Sequence, residues 1–239
     1  MTPIESAERA LRRSAGWILL GLLLLAVVYV WALGFTPPDV RQGLAQKIFY
    51  IHVPSAWVGF LGLLMVGVAS VVYLVRKDPV VDLFAASAAE VGMVFTTVVL
   101  ITGPIWGRSS WGAWWEWGDV RLTSTLFLWF VVLAYLVLRS AVTEPGQRAR
   151  YSAVLGILGA ALVPFVYLSI YLFRHDKMQH PGPVVIKAGG PTLPGSMLAT
   201  LLFSLGVFTL FFAALLWRRF ALARLADAQA HAAAERDDA

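Results

Sequence analysis

Long apolar runs dominate this chain and are separated by short polar stretches. Six of them are long enough to cross a bilayer, whose hydrocarbon core of roughly 30 Å needs about 20 residues at a rise of about 1.5 Å each. They fall at Gly16–Gly34, Ile48–Val75, Val81–Gly103, Thr123–Leu138, Tyr151–Phe173 and Gly195–Trp217. The pattern predicts an all-α integral membrane protein with six transmembrane helices. The second run is long enough to begin outside the hydrocarbon, which makes its first turn accessible to polar chemistry. The first run follows Arg9, Arg12 and Arg13, as a signal peptide would. It is too long for an h-region and lacks a clear small-residue cleavage site, so it is expected to be a retained span. Residues 1–220 are expected to form one membrane domain. Residues 221–239, Ala-rich and carrying Arg224, Asp227, Glu235, Arg236, Asp237 and Asp238, are expected to form a cytoplasmic charged tail that starts helical and frays.

Composition agrees with this class. Of 239 residues 59% are hydrophobic and only 14% charged, whereas a soluble domain carries about a quarter. The basic residues then set the orientation. Arg9, Arg12, Arg13, Arg76, Lys77, Arg139, Arg148, Arg150, Arg218, Arg219, Arg224 and Arg236 share the side of the N-terminus, 12 of the 19 Lys and Arg; Arg41, Lys47, Arg108, Arg121, Arg174, Lys177 and Lys187 make up the 7 opposite. The positive-inside rule therefore predicts both termini in the cytoplasm, N-in and C-in. The formal charge of +5 is dispersed over loop ends rather than gathered in a stripe, so it indicates no nucleic-acid partner.

Five of the ten tryptophans lie between Trp106 and Trp117, in the second outer loop of this topology, at about 104–122. An interfacial aromatic belt spreads a few rings over many helix ends. A dense cluster at Trp111, Trp114, Trp115 and Trp117, broken by Gly107, Gly112 and Gly118, suggests instead a shelf for a large, flat, apolar ligand. The other reading is an interfacial re-entrant segment that only anchors the loop. His52, in Ile51-His52-Val53-Pro54-Ser55-Ala56, and His175 and His180 fall on the same side, whereas His231 lies in the tail. A single boundary histidine reads most simply as hydrogen-bonded. Two of them beside a tryptophan shelf suit a planar metal macrocycle held by an imidazole on each face, which is how a protein holds haem.

Other chemistries are weaker. The chain has no G-x-x-x-x-G-K-[ST] and no cysteine, which excludes a P-loop, covalent haem attachment through C-x-x-C-H, zinc thiolates and a thiol nucleophile. Zinc on His52, His175, His180 and Asp119 would leave the tryptophans without a purpose. Glu90 is the one carboxylate placed well inside a span. It reads either as a functional group or as one end of a helix–helix hydrogen bond to a small-residue neighbour.

Trp111-Gly112-Ala113-Trp114-Trp115-Glu116-Trp117, followed by Asp119 and Arg121-Leu122-Thr123-Ser124, resembles the signature of the WWD family of haem-handling membrane proteins. Tyr50-Ile51-His52-Val53-Pro54-Ser55-Ala56 is similar to the His-Val-Pro start of the second span in the CcmC branch of that family. The resemblance covers nearly the whole chain. Two departures stand out. The family pattern runs from Trp directly to Asp, but here Gly118 intervenes, which leaves the direction of Asp119 open. The third outer loop, Arg174-His175-Asp176-Lys177-Met178-Gln179-His180-Pro181, lacks the usual aromatics before its histidine. The ligand role is carried to His180 because the family's histidine sits several residues beyond the span and near a proline, with His175 the alternative.

The resemblance implies a haem-delivery subunit of cytochrome c maturation rather than an enzyme, located in the cytoplasmic (inner) membrane with its site on the outer, periplasmic face. It implies non-covalent haem b between His52 and His180 as iron ligands, sheltered by Trp111, Trp114, Trp115 and Trp117, with Asp119 part of the site. Its implied partners are the haem chaperone CcmE, the ATPase CcmA, the membrane subunit CcmB, the small CcmD and membrane lipid. Arg108, Arg121, Lys47 and Arg174 are the outer-side cations available to the haem propionates. Three alternatives stay open. One is a cytochrome c synthetase-type (CcsA-like) protein that presents haem to apocytochrome itself, and another an exporter passing haem through the bundle. The third is a structural membrane subunit whose tryptophan loop docks a partner.

Overall fold

The computed structural model describes residues 2–173, 180, 186–187, 190–191 and 193–237. Six helices carry the fold: α1 (Pro3–Gly34), α2 (Phe49–Arg76), α3 (Pro79–Trp111), α4 (Val120–Ala141), α5 (Pro145–Leu172) and α6 (Gly195–Asp237). All six are long and apolar enough to cross a membrane. A 3₁₀ turn at Leu44–Ile48 leads into α2, and a two-residue pairing of Ile186–Lys187 with Gly190–Pro191 precedes α6.

Most of the helices outrun the apolar segments that announce them, because hydropathy marks only the hydrocarbon while their caps lie in polar sequence. Thr2 and Glu5 close a capping box at α1, with Pro3 in the first turn. Asp78 before Pro79 caps α3, and Glu144 before Pro145 caps α5. In each case a side-chain oxygen takes a backbone N–H that the helix leaves unpaired, and proline supplies a first residue that needs no partner. At its other end α6 continues without a break for 43 residues, so the tail expected from residue 221 begins as its extension.

Lipid is as apolar as leucine, so membrane helices associate through close packing and polar pairing rather than by escaping water. Small residues provide that packing here. A Cβ on Gly62 would stand 3.2 Å from the Cα of Gly92, and one on Gly59 would stand 3.3 Å from the Thr96 backbone nitrogen, so α2 and α3 approach backbone to backbone. Gly67 faces Ala160, and a Cβ on Gly156 would lie 2.5 Å from the Ser70 hydroxyl, which joins α2 to α5 in the same way. Between these contacts Val58, Val66, Ala88, Phe95, Phe208 and Phe212 form the main core, shared by α2, α3 and α6. Helix α1 packs chiefly on α6 and turns Leu19, Leu23, Val30 and Leu33 outward.

Ion pairs tie the opposite end. Arg139 of α4 grips Asp82 of α3 with two bonds of 2.6 and 2.8 Å. Arg219 of α6 binds both oxygens of Glu90, one at 2.6 Å. Glu90 is thus a helix–helix partner, but of a bidentate arginine and not of the small residue expected.

Replacing Gly67 with Leu should force α2 from α5 and cost about 1–3 kcal/mol or more through overpacking. Thermal melting of the detergent-solubilised protein should show a clear loss for Gly67→Leu. Gly206→Leu, with nothing within 4 Å of its added Cβ, should melt like the parent.

Candidate functional site

The antiparallel bundle gathers at one end the start of α2, the end of α3, the start of α4, the end of α5 and the start of α6. The register set by Gly62 on Gly92 and Gly59 on Thr96 places Thr102 across from His52. The His52 Nδ1 lies 2.9 Å from Thr102 Oγ1. That hydroxyl has a single proton and donates it to the Val98 carbonyl at 2.7 Å, so it accepts from His52, whose Nδ1 carries the hydrogen. The lone pair is then on Nε2. His52 is 8% exposed. The Trp106 ring meets it edge-on with centroids 5.6 Å apart, and a Cβ on Gly103 would already touch it at 3.4 Å.

Pro54 has its own role. Lacking an N–H, it frees the carbonyl four residues earlier, that of Tyr50. The Ser204 hydroxyl of α6 donates to that carbonyl at 2.6 Å. The His-Val-Pro sequence therefore both presents a histidine and fastens the start of α2 to α6. Beneath it Lys47 is buried, and its ammonium donates to the carbonyls of Ala32, at 2.6 Å, and Thr36 at the end of α1. A cation on a helix C-terminus is favourably placed. It corrects the expectation that Lys47 is available to a ligand carboxylate.

Asp119 is fully buried, at 0% exposure, and divides its two oxygens. Oδ1 caps α4, accepting from Arg121 N at 2.9 Å and Leu122 N at 3.2 Å. Oδ2 accepts from His180, from the backbone N–H at 3.1 Å and the ring Nδ1 at 3.3 Å. The intervening Gly118 thus leaves Asp119 aimed at the third loop's histidine. Burial raises the Asp119 pKa, but the hydrogen bond and charge of the His180 ring, with the N–H groups of Leu122 and His180, outweigh it and hold the carboxyl below its usual range. His175 and Arg174 are outside the described residues.

Helix α3 runs through Trp111 and ends where Gly112, at φ 80°, takes the left-handed conformation that glycine adopts freely. Trp106 and Trp111 therefore lie on the last turns of α3 rather than in the loop, in contact with each other at 5.9 Å. Trp115 and Trp117 pair at 5.6 Å beyond the turn. Trp111, Trp114 and Trp117 are 41%, 59% and 71% exposed, while the indole nitrogen of Trp115 is buried without a hydrogen-bond partner. Among the cations, Arg108 donates to the Gly112 carbonyl. Arg121 reaches across to α5, bonding the Val166 carbonyl at 3.3 Å and the Tyr167 carbonyl at 2.6 Å.

Two imidazoles whose Nδ1 atoms are engaged and whose Nε2 atoms remain for coordination, beside aromatic surface and an unused indole N–H, fit a planar iron macrocycle. They fit zinc less well, and among the described residues no group of three or more His, Asp or Glu could hold a metal ion. Thr102 and Trp106 were not singled out from the sequence. Trp106 could have been, since it belongs to the tryptophan cluster and sits one helical turn from Thr102, whereas Thr102 acquires its meaning only from the α2–α3 register.

Fold and chemistry together define a polytopic helical membrane protein with a layer of polar side chains gathered at one end of the bundle. Within that class, residues 3–234 match the family model for CcmC, described as Heme exporter protein C. Similar proteins of that name include one from Bradyrhizobium diazoefficiens, 36% identical over 199 residues, which are 83% of this chain and 74% of the relative. Another, from Paracoccus denitrificans, is 38% identical over 203 residues, 84% and 82% of the two chains. A third, from Haemophilus influenzae, is 35% identical over 195 residues, 80% and 77%. The chain belongs to the CcmC family.

Because the Asp119 pKa is depressed on folding, its charge stabilises the protein above the ordinary aspartate value of about 3.9 and ceases to do so as pH falls through the lower folded value. The difference in melting temperature between the parent and Asp119→Asn should stay constant from about pH 7 to 5 and shrink only below about pH 4. A difference independent of pH would show that the charge contributes nothing.

Proposed function

We propose that the chain binds haem on the outer face of the cytoplasmic membrane and delivers it to a haem chaperone of the CcmE type for cytochrome c maturation. His52 and His180 are the axial ligands. Trp111, Trp114, Trp115 and Trp117 shelter the porphyrin, and Arg108 and Arg121, which keep donors beyond those already engaged, meet the propionates. The haem is b-type and held without covalent bonds, since the chain has no cysteine. Binding by two imidazoles leaves no coordination position for oxygen chemistry, so the protein carries haem and is not an enzyme. The six-span domain ends near residue 220, and the tail meets the cytoplasm, where CcmA supplies ATPase activity alongside CcmB and CcmD. The observation that supports this reading best is that Thr102 and Asp119 each accept an Nδ1–H, which leaves an Nε2 lone pair on both histidines.

Absorbance of the purified, haem-loaded protein tests the ligands. The parent should show a low-spin bis-imidazole spectrum, and His52→Ala and His180→Ala should each lose it, whereas His175→Ala should keep it. A spectrum that survives His180→Ala but not His175→Ala would move the ligand to His175. Orientation is tested in intact cells with single cysteines in this cysteine-free chain. Ser109→Cys, exposed at the end of α3, should react with an impermeant maleimide from outside, and Gln147→Cys only after permeabilisation. The reverse would place the histidines on the cytoplasmic side.

A further inference from the structure

The two histidines of the proposed site are held by chemically different partners. His52 donates its Nδ1–H to a neutral hydroxyl, Thr102 Oγ1 at 2.9 Å, whose own proton goes to Val98. His180 donates to a carboxylate oxygen that is buried from water, Asp119 Oδ2, and the His180 backbone N–H binds the same oxygen at 3.1 Å. A hydrogen bond to an ionised acceptor is about twice as strong as one between neutral groups. It draws the Nδ1 proton away and raises the basicity of Nε2. Thr102 does this less because its oxygen is uncharged, although donating to the Val98 carbonyl makes it a better acceptor than an isolated hydroxyl.

We infer that Asp119 and Thr102 are positioning residues that make the two imidazoles unequal, His180 the strong ligand and His52 the weak one that yields first when haem is handed on. The inference rests on the haem-binding reading above. The exchange is a ligand substitution: the bond from iron to His52 Nε2 breaks, an incoming donor takes the position, and no electron is transferred. The ring contact of His180 is the longer of the two, 3.3 Å against 2.9 Å at His52, so the division rests on the charge of the carboxylate and on its second bond to the His180 backbone. Asp119 holds both the backbone and the ring of His180. His52 needs only to lose its iron bond, since α2 and Thr102 keep the ring in place for the next haem.

Carbon monoxide bound to the reduced, haem-loaded protein reports which imidazole remains opposite it. The iron–CO stretching frequency in resonance Raman spectra follows the basicity of that remaining ligand. If His52 yields, the CO adducts of the parent and of His52→Ala should share one frequency. Asp119→Asn should shift it in the parent background, and Thr102→Val should leave it unchanged. Asp119→Asn should also weaken retention of ferric relative to ferrous haem by about tenfold, the lower end for loss of a supporting partner, which raises the midpoint potential by about 59 mV for one electron. Thr102→Val should move it less, and Thr102→Ser should restore the parent value. Asparagine keeps an oxygen for the α4 cap, while its amide can accept from neither the ring nor the backbone of His180, so a retained low-spin spectrum is what shows that His180 still binds in the variant. A frequency that responds to Thr102→Val but not to Asp119→Asn would show that His52 is the ligand retained and overturn the inference. Equal potentials in all variants, with low-spin haem intact, would overturn it while leaving the haem site standing. A parent without low-spin haem would remove the haem site and this inference together.

Discussion

No water reaches the hydrocarbon layer, and that constraint governs the whole molecule. Every backbone N–H and C=O there must find a partner inside the protein, and helices must adhere without the drive that folds soluble domains. The bundle meets the first demand with unbroken helices and with local repairs such as Ser204, which takes up the Tyr50 carbonyl freed by Pro54. It meets the second with glycine contacts between α2, α3 and α5, and with arginine–carboxylate pairs between α3, α4 and α6. An arginine fork satisfies two carboxylate oxygens at once, which suits a medium where an unpaired charge is costly.

The site is an outgrowth of these repairs. Lys47 closes the carbonyls of α1, Asp119 closes the N–H groups of α4, and Arg121 bridges to carbonyls of α5. Residues whose first duty is to finish helix ends thereby form a polar layer at one end of an apolar bundle. Asp119 shows the economy of this arrangement. One oxygen completes a helix and the other holds His180, so the strength of the cap and the placement of the histidine depend on the same side chain.

Much of this was legible in the sequence. Runs of about 20 apolar residues gave six spans because the bilayer imposes that length, and Trp114, Trp115 and Trp117 stood out because a loop seldom gathers so many indoles. The helix ends were less legible, since a cap such as Thr2 with Glu5 is only a few polar letters beside a long apolar signal. Lys47 read as an outer-side cation because charge alone says nothing about the carbonyls it will meet once α1 has folded beside it. Thr102 was invisible for a related reason. Its partner lies 50 positions away, and only the packing of Gly62 on Gly92 decides which threonine of an apolar helix faces a histidine.

Helix α6 spans the distance between the two kinds of chemistry. At 43 residues and a rise of about 1.5 Å each it is a rod of roughly 65 Å. Near its start Thr200 bonds Thr36 at 2.8 Å and Ser204 bonds Tyr50, two residues before His52, while further along Arg218 and Arg219 hold α1 and α3. It contains no proline, so it has none of the hinges that kinked helices owe to that residue. The exposed far end, the arginine ties to α1 and α3 and the seat of the first turn of α2 therefore all belong to one continuous element.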